Sequence, residues 1–262
     1  MILTTMNNLR GYELQATDGK LGKIDALYFD EDTWKVRYLV VNVGNWLMRQ
    51  YVLLTPDCIE YVDREQETVV VSLTKDQIEN SPDIDTQKTI SREKEEMLHD
   101  YYAWVPYWRT MPVAAAGAPY GVPLASGALM MPGTAQSDQT VEERPERSLE
   151  STLRSTKEVK GYNIYANNGE IGHVETFLVD SLHWVIRYVI VDTGKWLPGR
   201  QVLIAPMWVS GMRWADSEMY LDLTKEQVET SPEYVAERYI YRDYETRLYD
   251  HYDQPPYWHK EI

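Results

Sequence analysis

Sliding the sequence against itself by 150 positions aligns residues 11–108 with 161–258 without a gap, and about 32 of the 98 aligned positions are identical, far beyond what unrelated segments share. TWKVRYLVVNVGNWL at 33–47 returns as HWVIRYVIVDTGKWL at 183–197, LTKDQIENSP at 73–82 returns as LTKEQVETSP, and LHDYYAWVPYW at 98–108 returns as LYDHYDQPPYW. One unit is encoded twice, so any fold that suits the first copy must suit the second. The first copy with its C-terminal arm spans 1–108, and the second with its arm spans 153–262. Between them, residues 109–152 are rich in Ala, Gly and Pro before turning charged. They show neither helical nor alternating periodicity and read as a flexible linker with a reach of about 35–40 Å as a coil. The apolar stretch from Leu129 to Met131 inside it is, alternatively, a short docking segment.

Within each copy the dominant signal is strand alternation. Asp18-Gly19 is a hairpin signal between Tyr12–Ala16 and Leu21–Phe29, because glycine accepts the positive φ of tight turns, and the second copy uses Asn168-Gly169. Further on, Trp34, Val36, Tyr38 and Val40 share one face, while Arg37, Leu39, Val41 and Val43 share the other. Short strands are expected at 51–54, 58–62 and 68–73, spaced as in a small antiparallel barrel. At Thr74 the period changes. Thr74 with Gln77 makes a capping box, so a short helix starts there and stops by Ser81-Pro82. Ser91 is an N-cap for a charged amphipathic helix over 92–102 that ends before Pro106. The expected fold is mainly β: two small antiparallel barrels, each burying its own nonpolar strand faces and each followed by a short helix and a helical, aromatic-ended arm.

Charge and cysteine usage narrow the partners. With 26 Lys and Arg against 41 Asp and Glu, the formal charge is −15, which repels phosphate backbones and anionic lipid surfaces at long range. Nucleic acid is therefore not an expected partner. The acidity serves either solubility or a face that meets a basic protein or cations. Cys58 is the only cysteine, which rules out an intrachain disulfide and cysteine-based zinc clusters and fits a reducing cytoplasm. The N-terminus lacks a basic segment followed by an apolar run. Runs such as Leu39–Val43 are far shorter than the roughly 20 residues that span a bilayer. A soluble, cytoplasmic protein without direct membrane insertion is expected.

The stretch GYELQATDGKLGKIDALYFDEDTWKVRYLVVNVGNWL, with Gly11-Tyr12, Asp18-Gly19, Gly22, Trp34, Arg37-Tyr38, Gly44, Trp46 and Pro56, resembles the PRC-barrel domain. That is the fold of the cytoplasmic part of the photosynthetic reaction centre H subunit, and it also occurs in a ribosome-maturation factor. Both copies carry the pattern, so the chain is similar to a tandem PRC-barrel protein. The resemblance implies a six-stranded, partly open barrel used for docking and assembly, and it supplies no catalytic residue. The chain departs from the H subunit in having no membrane helix, and from the ribosome factor in its acidity and in lacking that factor's N-terminal domain.

No residue pattern announces chemistry. The five histidines, His99, His173, His183, His251 and His259, lack the H-x-H or H-x-x-x-H spacing of a preformed metal site. His251 with Asp250 and Asp253 offers ligand types, but the first copy has Tyr101, Asp100 and Ala103 there, which favours surface polarity over a metal. Nucleotide and nucleophile-elbow motifs are absent. No catalytic, cofactor-binding or metal residue is expected, and no cofactor. Arg37 and Arg187 sit in mid-strand, where an unpaired guanidinium is costly to bury. They are expected to form structural ion pairs with Asp25 and Glu175, the alternative being anion or partner binding. The aromatic tails, with Tyr101, Tyr102, Trp104, Tyr107 and Trp108 in the first copy and Tyr252, Tyr257 and Trp258 in the second, either clamp onto a barrel or form part of an exposed partner surface, since Tyr and Trp suit both.

The function these features favour is a non-enzymatic adaptor that binds another protein or itself as a homodimer, docking on a membrane-associated complex. The alternative is a small-ligand or ion binding module in a groove between the barrels, linked to stress physiology.

Overall fold

The computed structural model describes residues 3–44, 50–86, 90–109, 152–194, 196–235 and 240–259. The linker expected at 109–152 and Trp46 of the repeated phrase therefore lie essentially outside the described residues. The chain forms two compact units, one of residues 1–90 with 152–262 and a second of residues 91–151.

Among the described residues the first unit holds fourteen strands: β1 (Leu3–Thr5), β2 (Glu13–Ala16), β3 (Gly19–Asp30), β4 (Val36–Asn42), β5 (Tyr51–Leu54), β6 (Ile59–Asp63) and β7 (Thr68–Val71) from the first copy, then β8 (Leu153–Ser155), β9 (Asn163–Ala166), β10 (Gly169–Asp180), β11 (Val185–Asp192), β12 (Gln201–Ile204), β13 (Val209–Arg213) and β14 (Glu218–Leu221). Short helices α1 (Met6–Leu9), α2 (Lys75–Glu79), α4 (Thr156–Val159) and α5 (Lys225–Glu229) punctuate them, and α6 (Arg242–His251) is the arm of the second copy. Its counterpart α3 (Arg92–Tyr102) belongs to the second unit.

Local signals in the sequence become local structure where hydrogen bonds within a few residues decide the outcome. Thr74 and Gln77 satisfy each other's backbone donors in a complete capping box, as Thr224 and Gln227 do in the second copy. The Ser91 hydroxyl accepts from Lys94 N at the start of α3. The hairpin turn does more than reverse the chain, because Asp18 and Asn168 each accept the first backbone N–H of the following short helix, from Lys75 and Lys225, at 2.8 Å. Trp34 departs from the alternation expected of it. It sits in the turn at φ 58, as Trp184 does at φ 52, and the strand begins only at Val36.

Each copy builds a six-strand path, β5-β4-β3-β2-β7-β6 and β12-β11-β10-β9-β14-β13. The sheets are not closed into barrels. Nor are they wholly antiparallel, since β2 pairs with β7, and β9 with β14, in parallel. The seventh strand of each sheet comes from the other copy. β1 pairs antiparallel with β10, Leu3 opposite Asp180, and β8 pairs with β3, Leu153 opposite Asp30. The expectation that each copy buries its own strand faces is thus corrected: the copies exchange their first strands. The exchange extends into the core, where Leu27 N donates to the buried Thr156 hydroxyl at 3.0 Å and the rings of Phe29 and Phe177 lie 6.0 Å apart. The two tryptophan turns are tied across the copies by Val36 N to Trp184 O at 2.8 Å and Ile186 N to Trp34 O at 3.0 Å. Positive φ is strained for bulky residues, and such cross-copy bonds help over-determine it.

A testable consequence follows from the exchange. Cutting the backbone between residues 125 and 126 is expected to give two fragments that co-elute at the size of the intact chain under native conditions. Fragments that separate without denaturant would show that the exchanged strands do not hold the copies together.

Candidate functional site

A cavity of about 590 Å³ opens within the first unit, where the turn Glu31–Trp34 of the first copy meets β11, β13 and residues 205–207 of the second. Its apolar lining includes Met207, Val209, Met212 and Trp214, and Met207 is 42 % exposed. Asp32 and Thr33 are exposed on the rim, and Glu31 is half-buried beside them. The acids are placed by the strand exchange: Arg154 on β8 donates to Glu31 at 2.7 Å while its guanidinium lies 4.1 Å above the Trp214 ring. One wall is Arg187 with Tyr249 and Tyr257. Arg187 lies 3.3 Å from the buried Asp180 carboxylate and 4.2 Å over the Tyr257 ring. Burial would by itself raise the pKa of Asp180, but hydrogen bonds from His183 and Leu182 N, together with the Arg187 charge, hold it below the ordinary aspartate value.

The expected partner of Arg187 was Glu175, and the structure corrects this. The ladder between β10 and β11 slips between Leu178 and Val179, so Arg187 falls at the irregularity beside Asp180. Glu175 instead pairs with Lys160 at 3.0 Å. Asp25 is likewise taken by other cations, Lys157 of the second copy and Arg10. Arg37 acts on Asp30. Burial opposes ionisation of Asp30, yet hydrogen bonds from Thr33 and Thr152 and the Arg37 charge keep its pKa below the ordinary value. Sequence spacing missed these pairings because bulges, not strict alternation, choose which residues share a face.

The aromatic tails divide. Tyr252 is buried with its ring centroid 4.5 Å from that of Trp208, so it is a packing residue and not part of a partner surface. Tyr257 and Trp258 are half-buried and tied to their own copy. Tyr257 donates to Glu245 at 2.9 Å, and Arg242 lies 4.0 Å over the Trp258 ring. In the second unit, Tyr102 stacks on Trp104 at 4.0 Å, Arg92 lies 4.2 Å over Trp108, and Tyr107 donates to Glu95 at 2.8 Å. Tyr101 is 42 % exposed.

Two buried carboxylates, which neither strand alternation nor helix capping reveals, organise these arms. Glu245 is buried, accepts from Tyr188 at 2.8 Å and Tyr257 at 2.9 Å, and pairs with Arg242 at 3.1 Å. Glu95 is also buried and pairs with Arg92 at 2.9 Å. The available signal was an Arg-x-x-Glu step, 92–95 and 242–245, standing at one fixed distance before both Pro-Tyr-Trp endings.

Cys58 is buried, donates to Thr55 O at 3.1 Å, and has its pKa pushed up to about 12 by burial. It occupies the position that Trp208 fills in the second copy and packs as a small apolar residue. His251, Asp250 and Asp253 do not assemble as a site, since His251 Nε2 bonds the Gln227 carbonyl at 2.7 Å. A different trio does: ligand atoms of His173, Glu175 and Asp192 all lie within 4.8 Å of one another.

Among the described residues no helix is long and apolar enough to cross a membrane. Residues 4–78 match the PRC-barrel domain family. No curated protein matches the chain. The sheet of the C-terminal half repeats the strand order of the first, giving a tandem arrangement.

Proposed function

We propose that this chain, which carries a PRC-barrel domain and a second sheet of the same order, is a non-enzymatic interaction adaptor whose two copies act as one receptor. The observation that carries this reading is the cavity shared between the copies, with methionine and tryptophan in its lining and acid on its rim. Methionine and tryptophan adapt to irregular apolar side chains. An acidic rim on a chain of formal charge −15 favours encounter with a basic segment. The occupant that fits is a peptide segment presenting one large apolar side chain flanked by Lys or Arg. Catalysis has little support in this cavity. Tyr249 and Tyr257 have their pKa values raised, first by burial, and stay neutral at physiological pH, while Arg187 is tied to Asp180.

Panning a random twelve-residue peptide library against the intact protein tests the reading. Enriched sequences should combine Lys or Arg with Leu, Met or Trp, and Met207→Glu should weaken their binding at least tenfold. A consensus indifferent to Met207→Glu, or no consensus, would overturn it. A small-molecule ligand is the second reading, favoured by a volume inside the range of about 300–1,000 Å³ typical of such pockets. Thermal stabilisation by a compound library, lost in Met207→Glu, would select it over the peptide.

A further inference from the structure

We propose that His173, Glu175 and Asp192 form a binding site for a single transition-metal dication of the zinc class, on the sheet of the second copy and independent of the adaptor reading. Two structural devices bring these residues together. His173 and Asp192 are directly opposed partners on the antiparallel strands β10 and β11, which places their side chains on one face at neighbouring positions. Glu175 is the extra residue of a bulge, between Val174 opposite Val191 and Thr176 opposite Ile190. All three are half-buried, while Val174 and Thr176 between and after them are buried. The trio thus stands on the outer face, accessible to an ion.

The donor set has a definite chemical preference. One imidazole with two carboxylates suits zinc, iron or manganese better than calcium or magnesium, which take oxygen ligands. A tetrahedral zinc holds such donors at about 2.0–2.2 Å, hence about 3.4 Å from one another. The donors lie within 4.8 Å of one another, so side-chain rotations of about 1 Å complete the set and leave a coordination position for water. Asp192 is already oriented, because its Oδ1 accepts Gly194 N at 2.7 Å. Glu175 gives one oxygen, Oε1, to Lys160 at 3.0 Å, and its second oxygen remains for the ion. That Lys160 side chain is about half exposed, where ion pairs are weak and a dication competes effectively.

The first copy supplies a built-in contrast. The equivalent positions are Lys23, Asp25 and Asn42, with Lys23 opposite Asn42 in the same register. Lysine brings a fixed cation, and an amide is a poor substitute for a carboxylate ligand. At these equivalent positions the second copy carries three metal-ligating side chains and the first copy one, on the same strand register.

The test is isothermal titration of the chelator-treated full-length protein with zinc chloride in the presence of excess magnesium. One saturable site per chain is expected. His173→Lys, which copies the first repeat, and Glu175→Gln should each weaken zinc binding at least tenfold, with the thermal midpoint of the metal-free protein unchanged. Cobalt(II) should give visible absorption in the parent that His173→Lys abolishes. Equal zinc affinity in the parent and His173→Lys, or binding that never saturates, would overturn the proposal. If His173→Lys impairs folding, the Glu175→Gln titration decides between the same two outcomes.

Discussion

Gly172→Ala is expected to destabilise the folded chain by about 3 kcal/mol or more, combining backbone strain with overpacking. Gly172 adopts φ +141, and a Cβ there would stand 2.0 Å from the Asp192 carbonyl oxygen and 2.8 Å from Thr193 Cα. Both obstacles are backbone at and just past the end of β11, so no side-chain rotation relieves them. The first copy repeats the arrangement, with Gly22 bringing β3 so close to Asn42 that a Cβ would lie 2.4 Å from its carbonyl oxygen. Gly161 is the control: φ is +89 but nothing lies within 4 Å of its Cβ position. Gly161→Ala should therefore show the conformational part alone, about 1 kcal/mol. Urea denaturation of both variants separates the two contributions. A loss at Gly172 no larger than that at Gly161 would mean the strands part readily, and the close approach would not be a fixed feature of the fold.

Glu245→Ala is the second large expected effect, a loss of about 3 kcal/mol. The Arg242 pair contributes little to this figure, since that guanidinium side chain is 46 % exposed and solvent screens it. Most of the loss comes from the fully buried Tyr188 phenol, which gives up its carboxylate acceptor inside the protein, at about 1–3 kcal/mol for a buried hydrogen bond broken on one side, and the half-buried Tyr257 phenol adds a smaller share. With its anchor gone, α6 should become sensitive to trypsin at Arg242 and Arg247 before the sheets unfold. Simultaneous digestion of sheets and arm would argue against a local clamp. Glu245→Gln keeps an acceptor and should cost less.

The pH dependence separates Glu245 from Asp180. Burial raises the Glu245 pKa, against the pull of the Tyr188 and Tyr257 hydrogen bonds and the Arg242 and Arg187 charges. Its contribution is present below the ordinary glutamate pKa and declines as pH rises through the raised folded value, so Glu245→Gln should remove that decline. Asp180 has a depressed pKa. Its contribution is present above the ordinary aspartate pKa and is lost as pH falls through the lower folded value. Stability curves of Glu245→Gln and Asp180→Asn against pH should therefore depart from the parent at opposite ends. Parallel departures would contradict these assignments.

Legibility in the sequence followed the range of the interaction concerned. The Thr74 to Gln77 capping box, the Ser91 cap and the strand at Tyr51–Leu54 rest on neighbours within a few positions, and each takes the expected form. The partner of Arg187 was misassigned because a single bulge changes which carboxylate stands beside it. Glu175 and Asp192 are separated along the chain by a complete hairpin, so no local spacing announced their meeting with His173.

Duplication of a β-rich unit, its turns and its helix starts were written into residue order, because periodicity and capping are properties of short stretches. Which copy completes which sheet was not. Leu3–Thr5 and Leu153–Ser155 are three-residue strands that carry no mark of their partner. Their pairing across copies depends on long-range register and on burial of Phe29 against Phe177, quantities that exist only once both sheets have come together.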